Sequence, residues 1–459
     1  MTTPPDAVER FGYRQELKRS LGFTDLMIYG LIFMVPIAPF GVFGSVFQAS
    51  HGMVALAYLV GLVAMAFSAL SYAQMAKAFP MAGSVYTYAG RGIGAPVGFM
   101  AGWAILLDYV MVPALLYLVA GTAMHTSIPA VPIWAWVIIF VALNTVVNYL
   151  GIQMTALITR IMLIGELIVL AIFLVVGVVA LTQGKAQTGA LTPIFDSGVF
   201  SWTLVLGAAS VAVLSFLGFD GISTLAEENR EDARRLGRSM IAALSLAAVL
   251  FVAQTWIAAL LTPNREALFA KDAALDNAFY DTAAFAGGAW LSTLTAVATA
   301  IAWGFANSLV AQAATSRLLF AMGRDRQLPA FLARVDPRRQ VPVNATLVVA
   351  AVSLALGLYM STRDDGIPLM VSLVNFGAMT AFLVLHVAVV HHYLVRQRSR
   401  NYLAHLAVPV VGFAVLVVVV INASVAAQRL GFAWLGLGLV ILIASFIMGR
   451  KPTLPQEVS

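Results

Sequence analysis

The 459-residue chain contains no cysteine, and only 10% of its residues are charged. The first absence removes disulfides, thiolate nucleophiles and cysteine-based metal sites. The second removes the solvated surface of an ordinary soluble domain, in which about a quarter of residues carry charge. Long polar stretches are missing as well, which leaves no room for a soluble catalytic or output domain. What remains is 61% hydrophobic, with a mean hydropathy of +0.90. Such a chain belongs in lipid, where a crossing helix needs about 20 apolar residues. Twelve candidate spans follow, near 24–48, 53–76, 96–122, 131–150, 155–182, 202–225, 239–261, 286–316, 343–361, 367–390, 405–425 and 431–448. Residues 1–22 carry Arg10, Arg14, Lys18 and Arg19 but no apolar run with a small-residue cleavage site, so the first span is expected to stay in the mature protein.

The basic residues set the orientation. With the N-terminus inside, only Lys185, Arg265, Lys271, Arg363 and Arg429 of the 27 fall outside, which puts both termini in the cytoplasm; a bacterial inner (plasma) membrane is the expected location. The net charge of +6 is then a topology signal spread over short inner loops, and no basic face for nucleic acid emerges. Gly90-Arg91-Gly92-Ile93-Gly94 imitates a phosphate-binding loop, yet no strand precedes it.

Spans 1 and 6 are unusual. The first contains Gly30, Pro36, Pro39 and Gly41, and the sixth reads Ser215-Phe216-Leu217-Gly218-Phe219-Asp220-Gly221. Proline removes a backbone donor and glycine tolerates unwound dihedrals, so both helices are expected to break near mid-membrane. Ordinary kinks between packed helices would leave the same marks. Breaks five spans apart, however, suggest two five-helix repeats, the second inverted, with a binding site between them.

Further along, Ala78-Phe79-Pro80-Met81-Ala82-Gly83-Ser84-Val85-Tyr86-Thr87-Tyr88, the stretch Gly98 to Trp103, Gly218-Phe219-Asp220 with Ala226-Glu227-Glu228, and Ser316 through Asp325 together resemble the amino acid, polyamine and organocation permease superfamily over essentially the whole chain. The resemblance implies an all-α membrane protein of 12 transmembrane helices with the LeuT-like five-plus-five inverted repeat and two additional C-terminal helices. The expected segments are 1–23 as a cytoplasmic N-terminal segment, 24–182 and 202–390 as the repeats, 405–448 as helices 11 and 12, and 449–459 as a cytoplasmic tail. Gly102-Trp103 with Leu107-Asp108-Tyr109, and Val374-Asn375-Phe376-Gly377-Ala378, look most like bacterial putrescine importers. Span 1 departs from the Gly-Ser-Gly signature of many amino acid permeases, reading Phe33-Met34-Val35-Pro36-Ile37, and the resemblance places Met34 and Ile37 beside the substrate.

Acids inside spans carry the candidate chemistry, because an ionised Asp at mid-helix costs about 2.5–3.5 kcal/mol to insert. Asp108 and Asp220 are the candidate ligands for a substrate ammonium, each competing with a structural hydrogen-bonding role. Tyr109 offers cation–π contact, and Phe216 and Phe219 flank the span 6 break, although aromatic packing is the ordinary fate of all three. Asn307 and Ser308 offer neutral hydrogen bonds or simple interhelical packing. Asp25 reads as an interfacial carboxylate at a helix N-terminus. Glu227 and Glu228 read as a charge network or inner gate with Arg230, Arg234 and Arg235, and His391 and His392 as interfacial residues without enough ligands for a metal.

Glu166 is the candidate proton-coupling residue. The resemblance puts it where several bacterial relatives carry a lysine whose proton stands in for a sodium ion. Arg160 lies about 240° away around the helix and cannot pair with it on the same face. A buried, unpaired carboxyl can bind and release a proton as the cavity alternates between sides, or simply stay protonated and hydrogen-bonded. The expected partners are a small amine substrate, a proton and the bilayer, with no cofactor, metal or nucleic acid. The expected activity is import of putrescine or a related polyamine by alternating access. The alternative is symport or exchange of a neutral or cationic amino acid. No nucleophile or His–carboxylate cluster supports an enzyme.

Overall fold

A computed structural model describes residues 8–270, 275–363, 365–421, 425–448 and 452–455; Lys271 and the outermost residues of both terminal segments lie outside these. The helices are α1 (Phe23–Met34), α2 (Ala38–Ala49), α3 (Val54–Ala78), α4 (Ser84–Gly92), α5 (Ala95–Ser127), α6 (Ile133–Leu150), α7 (Ile152–Thr182), α8 (Trp202–Ala212), α9 (Ala233–Leu261), α10 (Arg265–Leu268), α11 (Ala278–Gly287), α12 (Ala289–Ile301), α13 (Ser308–Arg324), α14 (Val343–Met360), α15 (Gly366–Val390), α16 (Val408–Ile421) and α17 (Val425–Ile447). Eleven helical stretches are long and apolar enough to cross a membrane, and the bent pair α1–α2 makes a twelfth. The protein is an all-α multi-pass membrane protein.

Both expected breaks are present. Span 1 bends by 45° between α1 and α2. Val35 there has φ 56°, a costly value for a β-branched residue. In the interruption, the Pro36 carbonyl accepts a hydrogen bond from Gln254 Nε2 of α9 at 2.9 Å. Span 6 stops being α-helical at Ala212, continues as 3₁₀ turns over Val213–Phe216, opens at Leu217–Gly218 and resumes as a 3₁₀ run over Phe219–Glu228. The two breaks touch: a Cβ on Gly218, whose φ is +119°, would stand 2.9 Å from the Phe33 backbone, and one on Gly221 would enter the Phe33 ring.

Spans 6, 8 and 10 run beyond their sequence pattern in ways that bear on the site. Span 8 does not end at residue 316 but continues to Arg324, and a π-turn over Ala302–Asn307 interrupts it. Span 10 reaches Arg396. Span 6 runs to Glu228, so Glu227 and Glu228 lie inside its last turn and not beyond it.

Glycines and aromatics lock the peripheral spans. Trp103 and Trp434 stack at 4.5 Å, each indole nitrogen donating to the other's carbonyl at 2.8 and 2.7 Å, so α17 is clamped to α5. Gly438 leaves room for the Trp103 ring. The imidazole of His386 on α15 lies between Ser68 and Ser71 of α3 at 3.3 and 2.9 Å, with Gly412 of α16 against it. His386 drew no attention in the sequence, yet it stitches three spans together.

Gly218→Ala tests the meeting of the breaks. The left-handed backbone alone costs an L-residue about 1–2 kcal/mol, and the added methyl meets Phe33 backbone atoms that have little room to retreat. The variant is expected to lose thermal stability in detergent and most of its transport; wild-type values for both would show that the contact is not constraining.

Candidate functional site

Where spans 1 and 6 interrupt, the core turns polar. Asp220 is 1% exposed. Its Oδ2 accepts a 2.6 Å hydrogen bond from the Tyr109 hydroxyl, and its Oδ1 faces the Gly218 amide at 3.3 Å. Tyr109 is held by its own backbone, whose carbonyl accepts from Thr315 of α13 at 2.6 Å. Asp108, the preceding residue on α5, is 3% exposed, and its carboxylate makes no hydrogen bond or ion pair among the described residues. Asp108 directly precedes Tyr109, the residue that donates to Asp220, which brings both acids to this part of the core. Gly377 of α15 lets α15 approach α5 here: a Cβ on it would come within 2.9 Å of the Asp108 nitrogen. The glycine in the span 10 motif therefore serves the site by close approach.

Aromatic rings wall this region. Tyr72 of α3 meets Tyr88, Phe219 and Phe382 edge-on at 5.8, 5.7 and 5.3 Å, and Phe33 packs against Tyr109 at 6.4 Å. The Tyr72 hydroxyl is 3.2 Å from Ser84 Oγ. Tyr72, Ser84 and Tyr88 were not expected from the sequence. Ser84 and Tyr88 lie in the motif after span 2, whose unusual density of small and hydroxylated residues was the available signal.

The other candidates are placed unevenly. Phe219 joins the aromatic wall, and Met34 and Ile37 are buried at the span 1 interruption. Phe216 turns the other way, into Tyr58 and Phe251 at 6.0 and 5.2 Å. Ser308 is tied into an interhelical network, donating to the Gly304 carbonyl and accepting from Asn144 of α6. Asn307 ends the π-turn, and its buried Oδ1 has no hydrogen-bond partner among the described residues. Glu166 faces inward from α7 at 5% exposure, with both carboxyl oxygens unsatisfied among those residues. Arg160 pairs with Asp25, which also caps α1 through the Gly22 amide.

The face that carries both chain ends is sealed by charge. Glu228 and Arg317 form two hydrogen bonds of 2.8 and 2.9 Å, with side chains 0% and 3% exposed. Glu227 pairs with Arg324 at 2.8 and 3.0 Å and accepts from the Ala82 amide. The partners are thus the arginines of α13 and not Arg230, Arg234 or Arg235; of these, Arg235 pairs with Glu231. The chain before α1 lies across the seal, with Ser20 and Leu21 amides on the Glu228 carbonyl and Tyr13 on Asp325. Burial pushes the Asp325 carboxyl upward from its ordinary range, opposed by hydrogen bonds from Tyr86 and Tyr13 and by Arg324. Arg91 binds the Phe11 and Pro455 carbonyls together, which puts both ends on this face. On the opposite face, Phe40, Phe43 and Phe173 pack around Phe279 at 4.0–5.8 Å.

Residues 33–448 match the amino acid permease family. This chain belongs to that family. Its relatives include the low-affinity putrescine importer PlaP of Escherichia coli K12, 30% identical over 455 residues and covering 96% of this chain and 97% of the relative. The branched-chain amino acid permease BcaP of Bacillus subtilis is 27% identical over 84% of this chain and 83% of its own length. The methylthioribose transporter of Bacillus subtilis is 24% identical over 96% and 95%. The protein is thus a membrane permease and not an enzyme, and one family frame spans substrates of different chemistry.

The buried ion pair sets a test of the seal. Arg317→Met strands the Glu228 carboxylate, which is expected to cost about 3–5 kcal/mol, whereas adding Glu228→Gln recovers much of the loss. Thermal unfolding of the purified variants reads both steps; a double variant no more stable than the single one contradicts the pairing.

Proposed function

We propose that the protein imports a small diamine, putrescine being the best candidate, by alternating access coupled to a proton. One observation carries this reading: two buried carboxylates, Asp108 and Asp220, share one aromatic-walled region, and no arginine or lysine pairs with either among the described residues. Removing two such charges from water without a counter-ion is expensive. A ligand with an ammonium at each end and an apolar middle supplies both counter-ions and fits rings between them. An α-amino acid brings a carboxylate that neither Asp welcomes. The putrescine importer among the relatives supports the same choice.

The second reading is an amino acid permease, favoured by the branched-chain relative. The unwound backbone at Val35–Ile37 would then have to receive the substrate carboxylate. Uptake of labelled putrescine into proteoliposomes, competed with a panel of amino acids and polyamines, separates the two. Strong competition by a neutral amino acid and none by diamines overturns the diamine reading.

In this reading the sealed terminal face is cytoplasmic, as the placement of lysine and arginine requires, and the membrane is the bacterial inner membrane. Residues 24–182 and 202–390 form the two inverted halves, with 405–448 outside them, and the matched interruptions of spans 1 and 6 support that division. The membrane potential favours entry of a cation by about 2.3 kcal/mol per charge per 100 mV, hence about 4.6 kcal/mol for a dication. Glu166 is the coupling residue, because it is buried and holds no partner among the described residues.

Two expectations follow for uptake and binding. Asp108→Asn and Asp220→Asn are each expected to weaken putrescine binding by about one to two orders of magnitude, the worth of one buried charge-assisted contact; wild-type affinity in both folded variants by calorimetry removes them from the site. Glu166→Gln is expected to preserve putrescine exchange and to abolish the dependence of net uptake on external pH. Unchanged pH dependence assigns Glu166 to structure.

A further inference from the structure

The helix α4 touches both the carboxylate site and the seal at the terminal face, and its contacts are spaced two residues apart. Its entry is strained: Gly83 has φ +113° and Ser84 has φ +52°, the latter a left-handed value for an L-residue. At Ala82 the amide donates to Glu227 Oε1 at 3.1 Å, the same carboxylate that holds Arg324. At Ser84 the hydroxyl lies 3.2 Å from the Tyr72 phenol, whose ring meets Phe219, the residue before Asp220, edge-on at 5.7 Å. At Tyr86 the hydroxyl donates to Asp325 Oδ2 at 2.6 Å, and Tyr13 of the preceding chain donates to Oδ1 of the same carboxylate at 2.8 Å. Arg324 lies 4.0 Å above the Tyr13 ring, which joins the two carboxylates of the seal into one assembly.

We propose that Ser84 and Tyr86 act as positioning residues through which α4 transmits occupancy of the carboxylate site to the gate at the terminal face. The Tyr72 phenol is the contact that holds the Ser84 hydroxyl, so Ser84 depends on where Tyr72 stands. Tyr72 in turn packs on Phe219, which the same turn carries as Asp220. An ammonium bound at Asp220 draws that turn toward it, the Phe219 and Tyr72 rings repack, and Ser84 loses the contact that holds its left-handed backbone. Relaxation of Ser84 moves Ala82 and Tyr86 together, because one short helix and its entry turn carry all three. Glu227 then loses an amide donor and Asp325 loses a phenol at the same moment. The two gate carboxylates are released by one movement. Close packing makes the movement collective: Gly98 of α5 stands so near Gly90 that a Cβ on it would come within 2.5 Å, and Gly102 faces the Tyr86 ring. Packed this closely, α4 cannot deform against α5 and moves as one body.

The part of this inference that concerns ligand response rests on the diamine reading; the part that concerns the gate does not. The chain contains no cysteine, so a single Ser316→Cys reporter, at a buried hydroxyl that accepts from Arg317 of the seal, needs no other change and serves as the common parent of every comparison. In nanodiscs, labelling of that reporter by a bulky polar maleimide measures opening of the terminal face. The parent is expected to label slowly, and faster with saturating putrescine. Adding Tyr86→Phe removes one hydrogen bond to the Asp325 carboxylate and is expected to raise ligand-free labelling by about tenfold, the shift one such bond gives a two-state equilibrium. Adding Ser84→Gly keeps the left-handed backbone, removes the hydroxyl, and is expected to abolish the putrescine-induced rise at concentrations that saturate that variant. A full putrescine response in the Ser84→Gly protein overturns the coupling role. Parental ligand-free labelling in the Tyr86→Phe protein overturns the gate role. A parent that neither binds nor responds to putrescine contradicts the diamine reading, and the Tyr86→Phe comparison, which uses no ligand, still decides the gate assignment.

Discussion

A helix that stops inside a bilayer leaves backbone donors and acceptors with no water to satisfy them, so it survives only where protein surrounds it. This chain interrupts two helices at one place and answers the constraint by packing each interruption against the other. Gly218 and Gly221 let span 6 close on Phe33, and Gln254 reaches the stranded Pro36 carbonyl. The Gly218 amide faces the Asp220 carboxylate, so the same turn that breaks the helix presents its acid. The location of the acids, the ring of tyrosines and the stacking of surrounding spans all depend on that contact. A change that made either span continuous would remove the site along with the strain.

Charge inside the protein divides by whether the chain itself supplies a partner. At the terminal face each glutamate of the pair Glu227–Glu228 has a bidentate arginine from α13. Such pairs contribute little net stability when buried, but they fix geometry and are costly to break singly, properties that suit a seal. Deeper in, Asp108, Asp220 and Glu166 have no cation of their own among the described residues. A chain that satisfies its charges so closely at one level and leaves them open at another is prepared for an exogenous cation or proton at the second.

Much of this was legible because it is local. Twelve spans follow from apolar run length, and both interruptions follow from Pro36 and Gly218, whose effects on the backbone need no tertiary partner. The depth of Asp108 and Asp220 follows from counting along a helix. What could not be read depends on partners far along the chain. Phe216 and Phe219 are three residues apart and look alike, yet Gly61 and Tyr58 draw one away while Tyr72 draws the other toward the acids. Glu227 and Glu228 had arginines two to eight residues away and chose others about ninety residues away, because the 3₁₀ run turns both inward toward α13. Ser308 offered either a neutral ligand or interhelical packing, and the residue that holds it, Asn144, carries no local mark of that role.

Under the proposed function, the separation of Glu166 from the aspartates bears on how a diamine and a proton would be moved by one protein. Asp108 and Asp220 come together around Tyr109, whereas both carboxyl oxygens of Glu166 are buried without a partner among the described residues. Two carboxylates that repel each other favour a ligand that neutralises both at once, and a dication does so more completely than two protons bound independently. An isolated carboxyl has no such preference and is suited to a single proton. Its helix also carries Phe173, two turns onward, into the aromatic layer on the face opposite the arginine seal. Protonation of Glu166 changes the cost of burying α7 at that depth, and α7 bears on the outer layer directly. Under the proposed function, the dication site would communicate with the arginine seal through α4, and the lone carboxyl with the aromatic layer at the other end through α7. Coupling then requires no contact between the two ligands, because each biases a different end of the same closed state.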